Sequence, residues 1–196
     1  YALEGSIFIA GAGVQWLRDK MKLIRNASET EKIVKSLSSN NGVYLVPAFV
    51  GLGAPYWNSK ARGVLSGITR DTGYKEVIRA IIESAAYQSY DLFNAMKKDG
   101  LKPIIIKIDG GMVKNNWFSQ FLSNILNVKI YKSQEENTTA LGAAFMAGLK
   151  AGVYKSLDDI VKNWKFDKKF VPKIDNSSRK LLLDGWSKAV KKTLIN

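Results

Sequence analysis

The stretch from Ile104 to Leu126, IIIKIDGGMVKNNWFSQFLSNIL, constrains the fold of this chain more than any other. Ile104, Ile105, Ile106 and Ile108 form a β-branched run too short for a helix, which predicts a central, buried strand. Asp109, Gly110 and Gly111 end the run. Beyond them Trp117, Phe118, Phe121, Leu122, Ile125 and Leu126 recur at three- and four-residue spacing, so one face of a following helix is apolar. Strand, double-glycine turn and helix in this order leave bare backbone at the carboxyl end of a strand, next to the unpaired N–H groups of a helix start. A nucleotide fits such a seat. A tight strand-to-helix connection with no ligand accounts for the same residues equally well.

The rest of the chain alternates in the same way. Residues 1–10, YALEGSIFIA, read as extended, with Ile7 and Ile9 on one face and Phe8 on the other. Gly11, Ala12 and Gly13 break the strand, and a helix carrying Trp16, Leu17, Met21 and Ile24 inward follows. The Gly-Ala-Gly turn is only part of a dinucleotide fingerprint, because Trp16 stands where a third glycine is needed. Ser28 and Glu31 have capping-box spacing ahead of a short surface helix containing Ile33, Val34 and Leu37. Strands are expected at 43–46 and 63–68. Between them lies PAFVGLGAPYW, Pro47 to Trp57, a loop apolar enough to need cover, either from the core or from a partner lobe.

A long helix is expected from about Lys75 to Met96, with Val77, Ala80, Ile81, Ser84, Ala85, Gln88, Leu92 and Met96 on one face and Glu76, Arg79 and Glu83 as an exposed charge ladder. Further on come a strand at 128–131, a polar loop at 135–139, and a helix over 140–151. Gly142 and Gly148 in that helix predict close packing of its backbone. Ser156 and Asp159 have the spacing of another cap, residues 165–172 read as an extended basic connector, and 177–194 as a terminal amphipathic helix built on Leu182, Trp186, Ala189 and Val190. Strands with interleaved helices define an α/β domain with a mixed sheet flanked by helices.

Composition narrows the chemistry. The 196 residues include neither cysteine nor histidine, which excludes disulfides, a thiolate nucleophile, and the commonest general base and zinc ligand. No apolar run approaches the roughly 20 residues of a membrane span, so a soluble, cytoplasmic protein with no membrane partner is the expectation. The first residue is Tyr1, consistent with the downstream part of a longer chain. A net charge of +13 invites a nucleic-acid partner, but lysines scattered from Lys20 to Lys192 and sparse arginine favour a solvated basic surface.

Four stretches carry a resemblance. Gly63, Leu65, Gly67 and Ile68, then Glu76, Val77, Ala80, Ile81, Ile82, Glu83 and Ser84, reproduce a signature of the sugar-kinase superfamily. YALEG with GAGVQWLRD, PAFVGLGAPYW with Ala61-Arg62-Gly63, and ENTTALGAAFMAGL are similar to the glycerol kinase family within it. Over nearly its whole length the chain resembles that family's carboxyl-terminal domain. The resemblance implies a ribonuclease-H-like (actin-like ATPase) fold, with residues 1–196 forming the nucleotide-side domain of a two-domain carbohydrate or polyol kinase whose amino-terminal domain is absent. It also implies ATP as cofactor, with Gly11, Gln15, Gly111 and Asn115 at the nucleotide and Gly110 beside them. Gly11 and Gly111 would let the nucleotide approach the backbone, and Gln15 and Asn115 would offer amides one turn into their helices. The catalytic aspartate, the ligands of Mg2+ and the glycerol pocket are implied to lie upstream, so no catalytic or metal residue is assigned here. The parent is implied to be a homo-oligomer that makes glycerol 3-phosphate. Its rivals are a kinase for another polyol or sugar and, from a different class, a basic nucleic-acid-binding module.

Overall fold

The computed structural model describes residues 4–101, 103–135, 137–163 and 165–195, so the first three residues of the expected opening strand and Glu136 of the polar loop lie outside it. Elements follow in the order α1 (Gly11–Asp19), α2 (Glu29–Lys35), β1 (Tyr44–Val46), β2 (Val64–Ser66), α3 (Tyr74–Lys98), β3 (Ile105–Ile108), a 3-10 turn (Gly111–Lys114), α4 (Asn116–Leu126), β4 (Lys129–Ser133), α5 (Thr138–Lys150), α6 (Leu157–Asn163), β5 (Phe166–Phe170) and α7 (Asn176–Leu194). β1 and β2 pair antiparallel. A second, mixed sheet has the order β3-β4-β5, with β3 parallel and β5 antiparallel to β4. The α/β class with a mixed sheet and flanking helices is the one expected.

The core is built where α3 crosses the other elements. It packs against α1, α2, α4 and β1, and from Glu76 to Tyr87 it buries nearly every side chain rather than a single face. Tyr87 joins α3 to α4 and α7: it stacks on Trp186 with centroids 5.2 Å apart and meets the edge of Phe121 at 5.6 Å. Trp186 and Tyr56 both donate to the half-buried carboxylate of Asp91, at 2.6 and 2.8 Å. Tyr56 thereby ties down the Pro47–Trp57 loop. Ala48 and Leu52 of that loop are buried, and Trp57 is 75% exposed, so the loop packs on the core while presenting its last aromatic outward.

Several expectations fail, each for a tertiary reason. The charge ladder of α3 is not exposed. Glu76, Arg79 and Glu83 are all buried, and Arg79 Nε donates to Glu83 Oε1 at 2.6 Å. The isoleucine strand is not central either: β3 is an edge of its sheet, and Ile104 is 80% exposed, because β4 is the only strand beside it among the described residues. Residues 4–10 pair with no strand among the described residues; Ile9 is nonetheless buried, its carbonyl accepting from Gln88 Nε2 at 2.9 Å. The 165–172 connector contains β5, which gains ladder partners on β4.

The capping box at Ser28 does not form, because the chain already has helical dihedrals there and the side chain makes no capping bond. Glu29 instead accepts from the backbone N–H groups of Arg25 and Asn26. The Ser156 cap does form, with Asp159 N–H donating to Ser156 Oγ at 3.2 Å and Asp159 accepting from Lys155 N–H at 3.1 Å. Gly142 does not mark close packing. α5 buries no described side chain, and a Cβ on Gly142 would meet nothing within 4 Å. Gly148 does have a close neighbour: a Cβ there would fall 2.8 Å from the Tyr154 ring.

Candidate functional site

Four of the five residues singled out above meet at one cavity. Gly11, Gln15, Gly111 and Asn115 line an opening of about 780 Å³ between the start of α1, the turn after β3 and the amino-terminal part of α2. Ile82, Ala85 and Ser89 of α3 and Phe118 and Leu122 of α4 complete its wall, which makes the interior largely apolar with polar groups at one rim. That volume lies in the range of a small-ligand or cofactor site. Gly110 does not line it; it borders a smaller polar cavity of about 130 Å³ on the other side of the turn, with Lys132, Glu135 and Asp167.

The two glycines of the turn do different work. Gly110 has φ of 89°, a conformation that L side chains rarely adopt, so it makes the chain reverse after Asp109. Gly111 has no such requirement, and a Cβ there would point into open space. Its bare backbone therefore leaves room at the cavity rather than relieving strain. Gly11 opens α1 in the same manner, its nearest prospective Cβ neighbour being Met112 Cγ at 4.0 Å. Gly13, two residues on, serves packing instead: a Cβ would press on Ile81 at 3.1 Å.

The amide residues differ from expectation in one respect. Gln15 lies one turn into α1 and is exposed at the rim. Asn115 is not inside its helix, because the 3-10 turn Gly111–Lys114 intervenes and α4 begins only at Asn116. Asn115 is the N-cap: its Oδ1 accepts from Phe118 N–H at 3.0 Å, and its Nδ2 donates to Thr30 Oγ1 at 3.3 Å. Part of its hydrogen-bonding capacity is thus already spent on the protein.

α2 supplies the wall that the sequence left unread. Ala27, Ser28, Thr30 and Glu31 line the cavity opposite the turn. Glu31 Oε1 accepts from Lys35 Nζ at 2.6 Å, and Oε2 lies 3.4 Å from Asn116 N–H. Burial alone would raise the Glu31 carboxyl, yet Lys35 and the Asn116 N–H together outweigh it and hold the group below the usual glutamate value. The Lys35 pair has ordinary i,i+4 spacing, but the contacts of Thr30 with Asn115 and of Glu31 with Asn116 have no local sequence signal, since each spans 85 residues.

Beneath the cavity the buried pair of α3 braces this wall. Glu83 is fully buried and accepts from Arg79, from Tyr87 Oη at 3.0 Å and from Asn40 Nδ2 at 3.3 Å. Burial pushes its carboxyl up, and the Arg79 guanidinium opposes that. Arg79 also donates to the Leu37 carbonyl at 2.6 Å and sits over the Trp117 ring, 5.0 Å from its centroid. One buried cation therefore links the end of α2 to the first turn of α4, the two elements that face each other across the site.

Comparison with known proteins agrees with this architecture. Residues 1–151 match the family model described as the FGGY family of carbohydrate kinases, C-terminal domain. The chain is 50% identical over 195 residues to a glycerol kinase of Gluconobacter oxydans and 53% identical over 192 residues to glycerol kinase 1 of Pseudomonas aeruginosa, covering 99% and 98% of itself. It spans 38% and 39% of the length of those curated relatives. Among solved structures, glycerol kinase of Plasmodium falciparum with ADP superposes with a TM-score of 0.89 at 40% identity, over 98% of this chain and 38% of that one. A ligand-bound xylulose kinase of Lactobacillus acidophilus, at TM-score 0.79 and 24% identity, shares the fold. With its signature residues on and around β2 and on the buried start of α3, and with Gly11 and Gly111 on one cavity, the chain belongs to the FGGY family of carbohydrate kinases.

Proposed function

We propose that this chain is the nucleotide-side domain of a glycerol kinase, and that the whole protein transfers the γ-phosphoryl group of ATP to glycerol, giving glycerol 3-phosphate and ADP. The observation that carries this reading is the convergence of Gly11, Gln15, Gly111 and Asn115, distant in sequence, on one cavity of nucleotide size. Relatives at 50% identity or above that are named glycerol kinases support glycerol as acceptor over another polyol or sugar. Localisation in the cytoplasm and a homo-oligomeric state belong to the same proposal.

In this reading the acceptor oxygen attacks the γ-phosphorus, the bond to the β-phosphate oxygen breaks, and the acceptor's proton passes to a base. No residue here matches the family's base, so the second lobe supplies it, and this domain binds and orients the nucleoside. Mg2+ would arrive on the phosphates: among the described residues no group of three or more acidic side chains converges as a metal cage. A nucleotide-borne Mg2+ needs none, being held mainly by phosphate oxygens and waters. No step is assigned to it from this chain.

Two measurements test the proposal. In the full-length protein Gly111→Val should raise KM for ATP by about tenfold or more while leaving KM for glycerol within about twofold, because the branched side chain enters the nucleotide's space and the fold has room for it. Equal effects on both substrates would place the nucleotide elsewhere. The 196-residue chain alone should release no glycerol-dependent ADP from ATP and Mg2+, and should bind ATP only weakly, on the order of millimolar. Glycerol-dependent turnover by the chain alone would refute the division of labour between lobes.

A further inference from the structure

We propose that Glu31 is a nucleoside-recognition residue, its carboxylate accepting a hydrogen bond from a donor on the bound nucleoside, either the exocyclic amine of adenine or a ribose hydroxyl. The inference rests on the nucleotide reading of the cavity and adds to it a residue that no glycine motif reveals.

Three observations point to it. Glu31 lines the same cavity as Gly111 and Asn115, beside the start of α4, and is neither free to swing away nor closed off. Lys35 holds Oε1 at 2.6 Å, and its side chain keeps 23% of its surface exposed. A carboxylate has about four acceptor positions. Two are engaged here, and the Asn116 contact, at 3.4 Å, is long enough to leave Oε2 acceptor capacity in hand.

The second observation is the condition of Asn115. One of the two acceptor positions of its Oδ1 already caps α4, and one Nδ2 hydrogen already faces Thr30, so the amide keeps only part of its hydrogen-bonding capacity for a ligand. Glu31 supplies what is missing on that rim. The third is charge: Arg18, Lys107 and Lys114 also line the cavity and suit phosphate oxygens, whereas the Glu31 carboxylate, already paired with Lys35, suits the donors of the nucleoside, its amine and hydroxyls. Hydrogen bonds to an ionised acceptor are about twice as strong as neutral ones, which makes one such contact enough to discriminate between bases.

The test is equilibrium binding by NMR titration of the chain with four probes: ADP, inosine diphosphate, which carries a carbonyl in place of the amine, 2′-deoxy-ADP and 3′-deoxy-ADP. Wild type should bind ADP about tenfold more tightly than whichever analogue lacks the recognised donor, and Glu31→Ala should bring that ratio to about one by weakening ADP and the analogues that keep the donor while leaving the one that lacks it unchanged. Loss of the contrast against inosine diphosphate identifies the amine; loss against a deoxy analogue identifies the ribose. Glu31→Gln, which keeps an acceptor oxygen and the side-chain volume, should fall between the two. Unchanged affinities in Glu31→Ala, or an equal loss for all four probes, would overturn the proposal, the latter being the mark of a purely structural role. If wild type binds none of the four, the nucleotide reading of the cavity fails and this proposal falls with it.

Discussion

α3 and α5 are two helices whose fates run against their compositions. α3 carries Glu76, Arg79 and Glu83 within its first three turns and buries all of them. α5 is nearly all Ala, Gly, Leu, Phe and Met after its opening threonines, and none of its described side chains is buried; Met146 is 54% exposed. Helix composition sets what a face can tolerate, but burial is set by what stands opposite. α3 has α1, α2, α4 and β1 around it, and its charges survive burial because Arg79 satisfies Glu83 and the Leu37 carbonyl while Glu76 accepts from Gly73 N–H and Asn41 Nδ2. α5 turns small side chains outward: Ala140, Ala143, Ala144 and Ala147 are all exposed.

The largest effect that could break this contrast is at Glu83. Glu83→Ala should lower stability by about 3–5 kcal/mol in urea unfolding, because it strands the buried guanidinium of Arg79. Replacing both partners with apolar residues, as in Arg79→Met with Glu83→Leu, should recover much of that loss. A single-site loss below about 1 kcal/mol would mean that water reaches the pair, and α3 would then be as exposed in its charges as the spacing suggested.

A smaller effect separates the helix starts. α7 begins on Asp175, whose carboxylate accepts from Ser178 N–H at 2.8 Å and Ser178 Oγ at 2.7 Å and is also bonded by Ser177 Oγ. α5 begins at Asn137 with no side-chain capping bond. The hydroxyl and backbone donors at Asp175 hold its carboxyl well below the ordinary aspartate value. Its stabilisation is therefore fully present above the unfolded pKa of about 4 and lost as pH falls toward the lower folded value. Asp175→Ala should lower Tm at pH 7, and the gap from wild type should close as pH drops below about 4. A gap independent of pH would assign the loss to something other than the charged cap.

The smallest effect concerns the exposed helix. Gly142→Ala should raise stability by about 0.5–1 kcal/mol, since alanine is the better helix former and no neighbour meets the new Cβ. A loss instead of a gain would show that α5 is closely packed after all, as its glycines had predicted.

What could be read before folding was local. The apolar spacing from Trp117 to Leu126 was enough to place α4, and the Asp-Gly-Gly turn announced a reversal that Gly110 carries out at φ 89°. The resemblance singled out four residues that do share a cavity. Asn115 was placed one turn into its helix, where it is in fact the N-cap, because a 3-10 turn, which has no distinct apolar period, delays the helix start. Glu31 was read only as the capping-box partner of Ser28, since its partner Asn116 is 85 positions away.

By itself, then, the sequence determined the periods, the turns and the absence of histidine and cysteine chemistry, because each depends on neighbours within a helical turn or on composition. Tertiary structure alone decided that β3 is an edge, that the charges of α3 are buried, and that α2 closes the cavity. Those outcomes depend on pairs such as Asn40 with Glu83 and Thr30 with Asn115, 43 and 85 residues apart. No local pattern encodes such pairs, for the energy that makes them favourable appears only when the intervening chain has folded and removed their water.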